Sequence, residues 1–156
     1  VEEVKNVNTP DEEIEALTDF EAGKTAVVDV SKFKVPAQNF NTEGSTVELT
    51  EYKPNYLKYA ANAAQPGLVV FSEVYYADGW QAYLDGQPVD HIRANYILRA
   101  MPVPAGKHTI EFRFEPKSYA IGNTVSLVSS ILLLLVLGGA IFYSIRKKPE
   151  PEKVNV

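Results

Sequence analysis

Cysteine is absent from the chain. Its absence excludes disulfide frameworks, thiol nucleophiles and thiolate metal sites, while leaving an exported location open, since a domain of this size can be held by its core alone. Histidine is almost as scarce. His91 and His108 are the only two, and neither has an acidic partner at metal-ligand spacing. No serine sits in a nucleophile elbow, and no glycine-rich phosphate loop occurs. No catalytic residue, metal or cofactor is therefore expected in these residues. Basic side chains are also thin where a nucleic acid would need them. Residues 1–51 carry 12 acidic and 4 basic side chains, and the remainder carries 8 and 11, for a net charge of −5. Without a basic stripe interleaved with aromatics, nucleic acid is not an expected partner.

Charge is missing altogether from Val125–Ile145, a stretch closed by Arg146, Lys147 and Lys148. As a helix these residues reach roughly 31 Å, which matches a hydrocarbon core of about 30 Å. The stretch has no polar face, so the rest of the chain could not cover it on every side in a soluble domain. It reads as a transmembrane helix over residues 121–145, with membrane lipid as its surroundings. Ser126, Ser130 and the pair Gly138-Gly139 are small enough to let other transmembrane helices of the same protein approach closely. The tail carries Arg146, Lys147, Lys148 and Lys153, whereas only Arg113 and Lys117 precede the helix closely. That bias puts the C-terminus in the cytoplasm and residues 1–120 outside. A segment of this length outside the membrane requires something upstream to carry it across. The reading is a piece of a longer protein with at least one earlier span. A tail-anchored protein with a cytoplasmic domain is the rival, and it would put the basic cluster on the wrong side.

The remaining residues suit one domain rich in β-strands. Thr9 followed by Pro10 and Glu12 marks a helix start that runs to about Leu17, with Asp11, Glu12 and Glu13 at the positive end of its dipole. Its few apolar residues predict a surface helix, and its acidic cluster a solvated one. Thr25–Val30 has the β-branched content of a strand. Thr46–Tyr52 and Tyr56–Ala61 alternate and flank the turn at Pro54, so they predict neighbouring antiparallel strands. Leu68–Tyr76 is almost continuously apolar, as in a strand buried on both faces. Trp80–Leu84 and Pro88–Ile92 are joined by the hairpin signal Asp85-Gly86. Tyr96–Val103 is a further apolar run. In Thr109–Glu115, Ile110, Phe112 and Phe114 alternate with polar residues. Strands at this spacing predict an antiparallel β-sandwich, jelly-roll-like, with a short N-terminal helix and one C-terminal transmembrane helix. The expected organisation is an N-terminal segment over 1–24, an extracytoplasmic sandwich over 25–120, the span over 121–145 and a cytoplasmic basic tail over 146–156.

Asp78, Asp85 and Asp90 invite a paired-carboxylate reading, but Asp85 and Asp78 each precede a glycine and are accounted for by turns. The aromatic group is the better candidate. Tyr75, Tyr76, Trp80 and Tyr83 lie within nine residues, and Tyr96 follows on a nearby strand. Amphipathic rings suit stacking on sugars or seating at the headgroup level of a membrane. Tyr76, Trp80, Tyr83 and Tyr96 are the candidate ligand-binding residues, with a glycan as the ligand class. Alternation puts Trp80 and Tyr83 on opposite faces, and Tyr75 opposite Tyr76, so half at most share one platform. The other reading of these rings is sandwich core.

The run Leu68-Val-Val-Phe-Ser-Glu-Val-Tyr-Tyr, then Gly79-Trp80, Ala82-Tyr83, Asp85-Gly86, Arg93-Ala-Asn-Tyr96, Arg99-Ala100 and Val103-Pro-Ala-Gly-Lys-His-Thr-Ile-Glu-Phe112, resembles the C-terminal region of YfhO-like bacterial membrane proteins. The likeness extends upstream into Thr25–Val30 and Thr46–Tyr59 and downstream into the final helix. Such sequences commonly carry a proline shortly before the Gly-Trp pair, where this chain has Ala77 and Asp78. The resemblance implies a multi-pass protein of the cytoplasmic membrane, similar in layout to glycosyltransferases that use lipid-linked sugars in the cell envelope. It also implies that the catalytic acidic residues belong to loops between early spans, so none is carried onto this chain. Two readings follow: the accessory β-domain and last span of such a protein, or a non-enzymatic membrane-anchored sandwich that binds a surface glycan or a protein partner.

Overall fold

A computed structural model describes residues 1–146 of the chain. Val1–Pro116 form one compact unit, and the chain from Lys117 forms a second. The first unit is mainly β, and its strands are mostly antiparallel.

The chain opens with strand β1 (Glu3–Val7), helix α1 (Pro10–Ala16) and strand β2 (Thr25–Asp29). β1 and β2 pair in parallel, from Glu3 opposite Thr25 to Val7 opposite Asp29. Parallel neighbours need a crossover, and α1 supplies it. Its start is capped as the sequence predicts, with the Thr9 hydroxyl accepting from the Glu12 N–H at 3.2 Å. The Glu12 carboxylate reaches back to the N–H of Asn8 at 2.8 Å. One face of α1 packs Ala16 against Val7 and Val27. The acidic first turn is not wholly solvated, which corrects the expectation for it. Asp11 and Glu12 are exposed, but the Glu13 side chain is fully buried. There it meets Arg93 and the N–H of Tyr96, each at 2.8 Å.

Eight further strands complete the unit: β3 (Thr46–Lys53), β4 (Tyr56–Ala63), β5 (Gly67–Val74), β6 (Trp80–Leu84), β7 (Gln87–Val89), β8 (Ile92–Ala94), β9 (Leu98–Val103) and β10 (Gly106–Phe114). They build a five-stranded sheet in the order β3-β4-β10-β6-β7 and a three-stranded sheet in the order β5-β9-β8. The two sheets face each other across one core, in which Leu57, Tyr59, Ala61, Ala82, Ile110 and Phe112 from the larger meet Phe71, Met101 and Val103 from the smaller. Phe112 packs edge-on against Phe71 with centroids 4.9 Å apart. The antiparallel sandwich expected from the strand spacing is present.

The smaller sheet is covered on its other face as well. Leu68, Ile92, Ala94 and Ala100 pack there against Val4, Ala26 and Val28 of the parallel pair. This two-sided burial explains why the β5 segment reads as a continuous apolar run. Two details depart from the sequence reading. Pro88–Ile92 partners β6 only as far as Val89, after which the chain crosses and β8 pairs with β9. β3 lies at a sheet edge, where Val47 and Leu49 remain exposed despite its alternation. The hairpin at Asp85-Gly86 is as expected, with positive φ at both residues (51° and 80°), the geometry of a tight primed turn.

Helix α2 (Lys117–Arg146) is the second unit. Its residues Ile121–Arg146 are long and apolar enough to cross a membrane, reaching roughly 39 Å against a hydrocarbon core of about 30 Å. The Ser130 hydroxyl donates to the carbonyl of Ser126 at 2.8 Å, so that polar group is satisfied within the helix. The predicted basic tail beyond Arg146 lies outside the described residues.

Candidate functional site

Two of the four candidate rings, Tyr76 and Trp80, come together where the turn after β5 meets the end of β10. The N–H groups of Gly79 and Trp80 both donate to the Tyr76 carbonyl, at 3.3 and 3.0 Å, and the Gly79 carbonyl accepts from Glu115 at 2.7 Å. Glycine is required at position 79 for space. A Cβ there would lie 2.4 Å from the Phe114 ring and 2.7 Å from the Tyr76 ring. With that gap closed, Tyr76 stacks on Phe114 at 6.5 Å and 27°, and Trp80 meets the same ring edge-on at 5.3 Å. Tyr76 is 51% exposed. Trp80 is half-buried and packs on the sandwich core.

Behind Trp80 sits a cation. The Arg99 side chain is buried to 2% exposure, with its guanidinium 4.3 Å from the Trp80 ring centre and 5.0 Å from that of Phe112. Its Nε donates to the Val74 carbonyl at 2.8 Å, while Nη1 is buried without a hydrogen-bond partner. Burial holds the guanidinium below its ordinary pKa. His91 packs against Phe112 at 5.7 Å and Tyr75 at 5.1 Å, and its Nε2 is likewise buried and unpartnered. Burial, then the nearby Arg99 charge, pushes the His91 ring below the usual imidazole range. Arg99 could have been found in the sequence. It has the same strand parity as Met101 and Val103, an arginine set among core positions of an apolar run.

The other two candidates stand apart from this group. Tyr83 projects from β6 on the face opposite Trp80 and Ala82. Its hydroxyl donates to Glu115 at 2.9 Å, and the Arg113 guanidinium lies 4.2 Å from its ring centre. The bond to Glu115 raises the pKa of that phenol. Tyr96 sits at positive φ (67°), with its N–H held by Glu13 and its ring 5.4 Å from the Arg93 guanidinium. Tyr76 and Trp80 thus share a neighbour in Phe114, and Tyr83 and Tyr96 serve separate polar contacts.

An exposed ring with a polar tip beside a half-buried indole can stack on the apolar face of a sugar. Asp85 is engaged at its hairpin, where it accepts from the Thr109 N–H at 2.8 Å and pairs with His108 at 2.7 Å. Among the described residues, no group of three or more His, Asp or Glu side chains could hold a metal ion. A cleft of about 540 Å³ runs elsewhere, along the edge of β5, and none of the four candidate residues lines it.

In comparisons with known proteins, residues 19–126 match a family described as bacterial membrane protein YfhO. No curated protein and no solved structure shows a significant match.

Proposed function

The chain belongs to the YfhO family of bacterial membrane proteins, and on that premise we propose that it is the accessory β-domain and last span of a larger polytopic protein. That protein is of the glycosyltransferase type that uses lipid-linked sugars, working in cell-envelope glycosylation. The β-unit lies on the outer side of the cytoplasmic membrane and the tail inside. One observation carries this reading: the family match covers residues 19–126, from before β2 to beyond the start of α2. That reach, to ten residues into α2, supports reading the sandwich and the start of the helix as one family region.

In this reading the sugar-transfer chemistry belongs to membrane loops of the parent protein. The β-unit holds the acceptor glycan, with Tyr76 as the exposed ring and Trp80 as its partly buried support. Purified full-length protein in liposomes with a lipid-linked sugar donor provides the test. Donor consumption dependent on a glycan acceptor is expected, and Tyr76→Ala should raise the acceptor KM several-fold while leaving kcat within about twofold. A full-length protein that consumes no lipid-linked sugar would remove the glycosyltransferase reading. An unchanged KM in Tyr76→Ala would remove the glycan-holding role. Trp80→Ala should cost about 3 kcal/mol of stability, because it deletes a large ring packed on the core.

A further inference from the structure

A second cleft, of about 780 Å³, opens at the end of the sandwich where β5 begins and β9 ends. It stands apart from the aromatic group around Phe114. Gly67 is in its wall, and β5 runs from there to Val74, two residues before Tyr76. The length of that strand, roughly 23 Å at about 3.3 Å per residue, lies between the cleft and the Tyr76 turn.

The chemistry of this cleft is narrow. Among the described residues none that lines it is charged, although 22% of the chain is. Pro36, Pro66, Pro102 and Pro104 are in its walls, and each supplies a carbonyl but no N–H. The polar side chains are the amides of Asn39, Asn41 and Gln65, all exposed. Among the described residues, Asn39 and Gln65 make no side-chain hydrogen bond within the protein. Asn41 uses only its Oδ1, which accepts from the Glu43 N–H at 3.0 Å. Phe40 is the aromatic ring of the lining. Its N–H donates to the Glu2 carbonyl at 2.8 Å, and its side chain packs on the layer that contains Leu68 and Ala100. Fixed proline φ angles and this anchoring give the walls their shape before any ligand arrives, which lowers the entropic cost of binding.

These features select a class of ligand. A phosphate, a carboxylate or an ammonium finds no countercharge in the lining. An added peptide strand needs a ladder of N–H and carbonyl groups, and the prolines withhold the N–H groups. A plain hydrocarbon chain would cover three amides and give them nothing to bond. A neutral saccharide answers each point. Its hydroxyls donate to proline carbonyls and amide oxygens and accept from amide NH2 groups, while a C–H face of the ring lies on Phe40.

We propose that this cleft binds an uncharged glycan segment, with the amides of Asn39, Asn41 and Gln65 taking its hydroxyls and Phe40 its apolar face. The inference deepens the reading of the β-unit as the holder of an acceptor glycan, and it rests on that reading. It adds a site remote from Tyr76 and names the ligand as neutral over this stretch.

Titration calorimetry on the full-length protein in nanodiscs tests this. Hexasaccharides of glucose and of N-acetylglucosamine are the neutral probes, and a hexasaccharide of galacturonic acid is the charged one. At least one neutral probe should bind, and the charged one at least about tenfold more weakly. The double variant Asn39→Ala, Gln65→Ala should weaken the neutral probe by about tenfold or more, as expected for two lost hydrogen bonds. Both side chains are exposed and unbonded within the β-unit, so an unchanged unfolding midpoint in that variant separates lost binding from lost fold. Parent-like binding by the double variant overturns the site. If Tyr76→Ala then abolishes binding, the glycan-holding role stands at Tyr76 alone. Preference for the galacturonic acid probe overturns the neutral class. Binding of no hexasaccharide overturns the site and the glycan-holding role together.

Discussion

Replacing Glu13 is expected to be among the most damaging single changes in the β-unit, although its neighbours in sequence are ordinary solvent-facing acids. Its side chain is fully buried, with one oxygen 2.8 Å from the Arg93 guanidinium and the other accepting the Tyr96 N–H at 2.8 Å. Glu13→Ala removes both contacts at once. Leaving a buried donor without an acceptor costs about 1–3 kcal/mol, and orphaning a fully buried charge about 3–5 kcal/mol. Arg93 retains 22% side-chain exposure, so water recovers part of the second loss. The expected total is therefore about 3 kcal/mol, toward the lower end of the range for broken buried pairs. Glu13→Gln keeps an acceptor for Tyr96 and fills the same volume, so it should cost about 1–2 kcal/mol. Combining Glu13→Ala with Arg93→Met should recover at least about 0.5 kcal/mol, because the orphaned charge goes too. Urea unfolding of the full chain in detergent micelles, followed by the fluorescence of its single tryptophan, measures all three. A Glu13→Ala protein within about 0.5 kcal/mol of the parent, or a Gln variant as damaged as the Ala one, would refute this account of the pair.

Gly79→Ala drives a methyl group into the Phe114 and Tyr76 rings, at 2.4 and 2.7 Å. A loss of about 1–3 kcal/mol is expected from overpacking, together with changed near-UV circular dichroism as the stack opens. The two histidines should titrate with opposite consequences for stability. His91 is held below its ordinary value of 6.5, so the unfolded chain takes up its proton first and stability falls as the pH drops below 6.5. His108 is raised above 6.5, chiefly by its bond to Asp85, so its contribution is complete below 6.5 and is lost as the pH rises through the folded value. In denaturation curves taken across this range, His91→Gln should flatten the acid side and His108→Gln the alkaline side. Equal pH profiles for parent and variants would contradict both assignments.

Much of the fold could be read from local pattern because local forces decide it. The alternation of Ile110 and Phe112 marks a strand whose one face is sealed, and both are fully buried. Asp85-Gly86 specifies its turn through φ alone, and Thr9 its cap through one hydroxyl. The continuous run from Leu68 to Phe71 anticipated a layer on each side of β5 before either layer was known. What escaped depends on partners far away in sequence. β1 offers only Val4 and Val7 as buried apolar residues in a polar stretch, and its strand exists because β2 lies beside it. Glu13 looked like a solvated helix start because its partners lie 80 and 83 residues further on. Val47 and Leu49 alternate like core residues, yet no layer covers that edge. For the candidate site, the aromatic cluster was visible in composition, but its division into one stacked pair and two separate tyrosines needed the third dimension.

The position of β10 has a mechanical side. It is the last strand before α2, and it is also the middle strand of five, paired with β4 over eight residue pairs and with β6 over five. Any tension applied through Glu115 and Pro116 would be shared at once between two ladders. An outer strand in that place would peel away one bond after another. The link is thus set on a strand that is held from both sides.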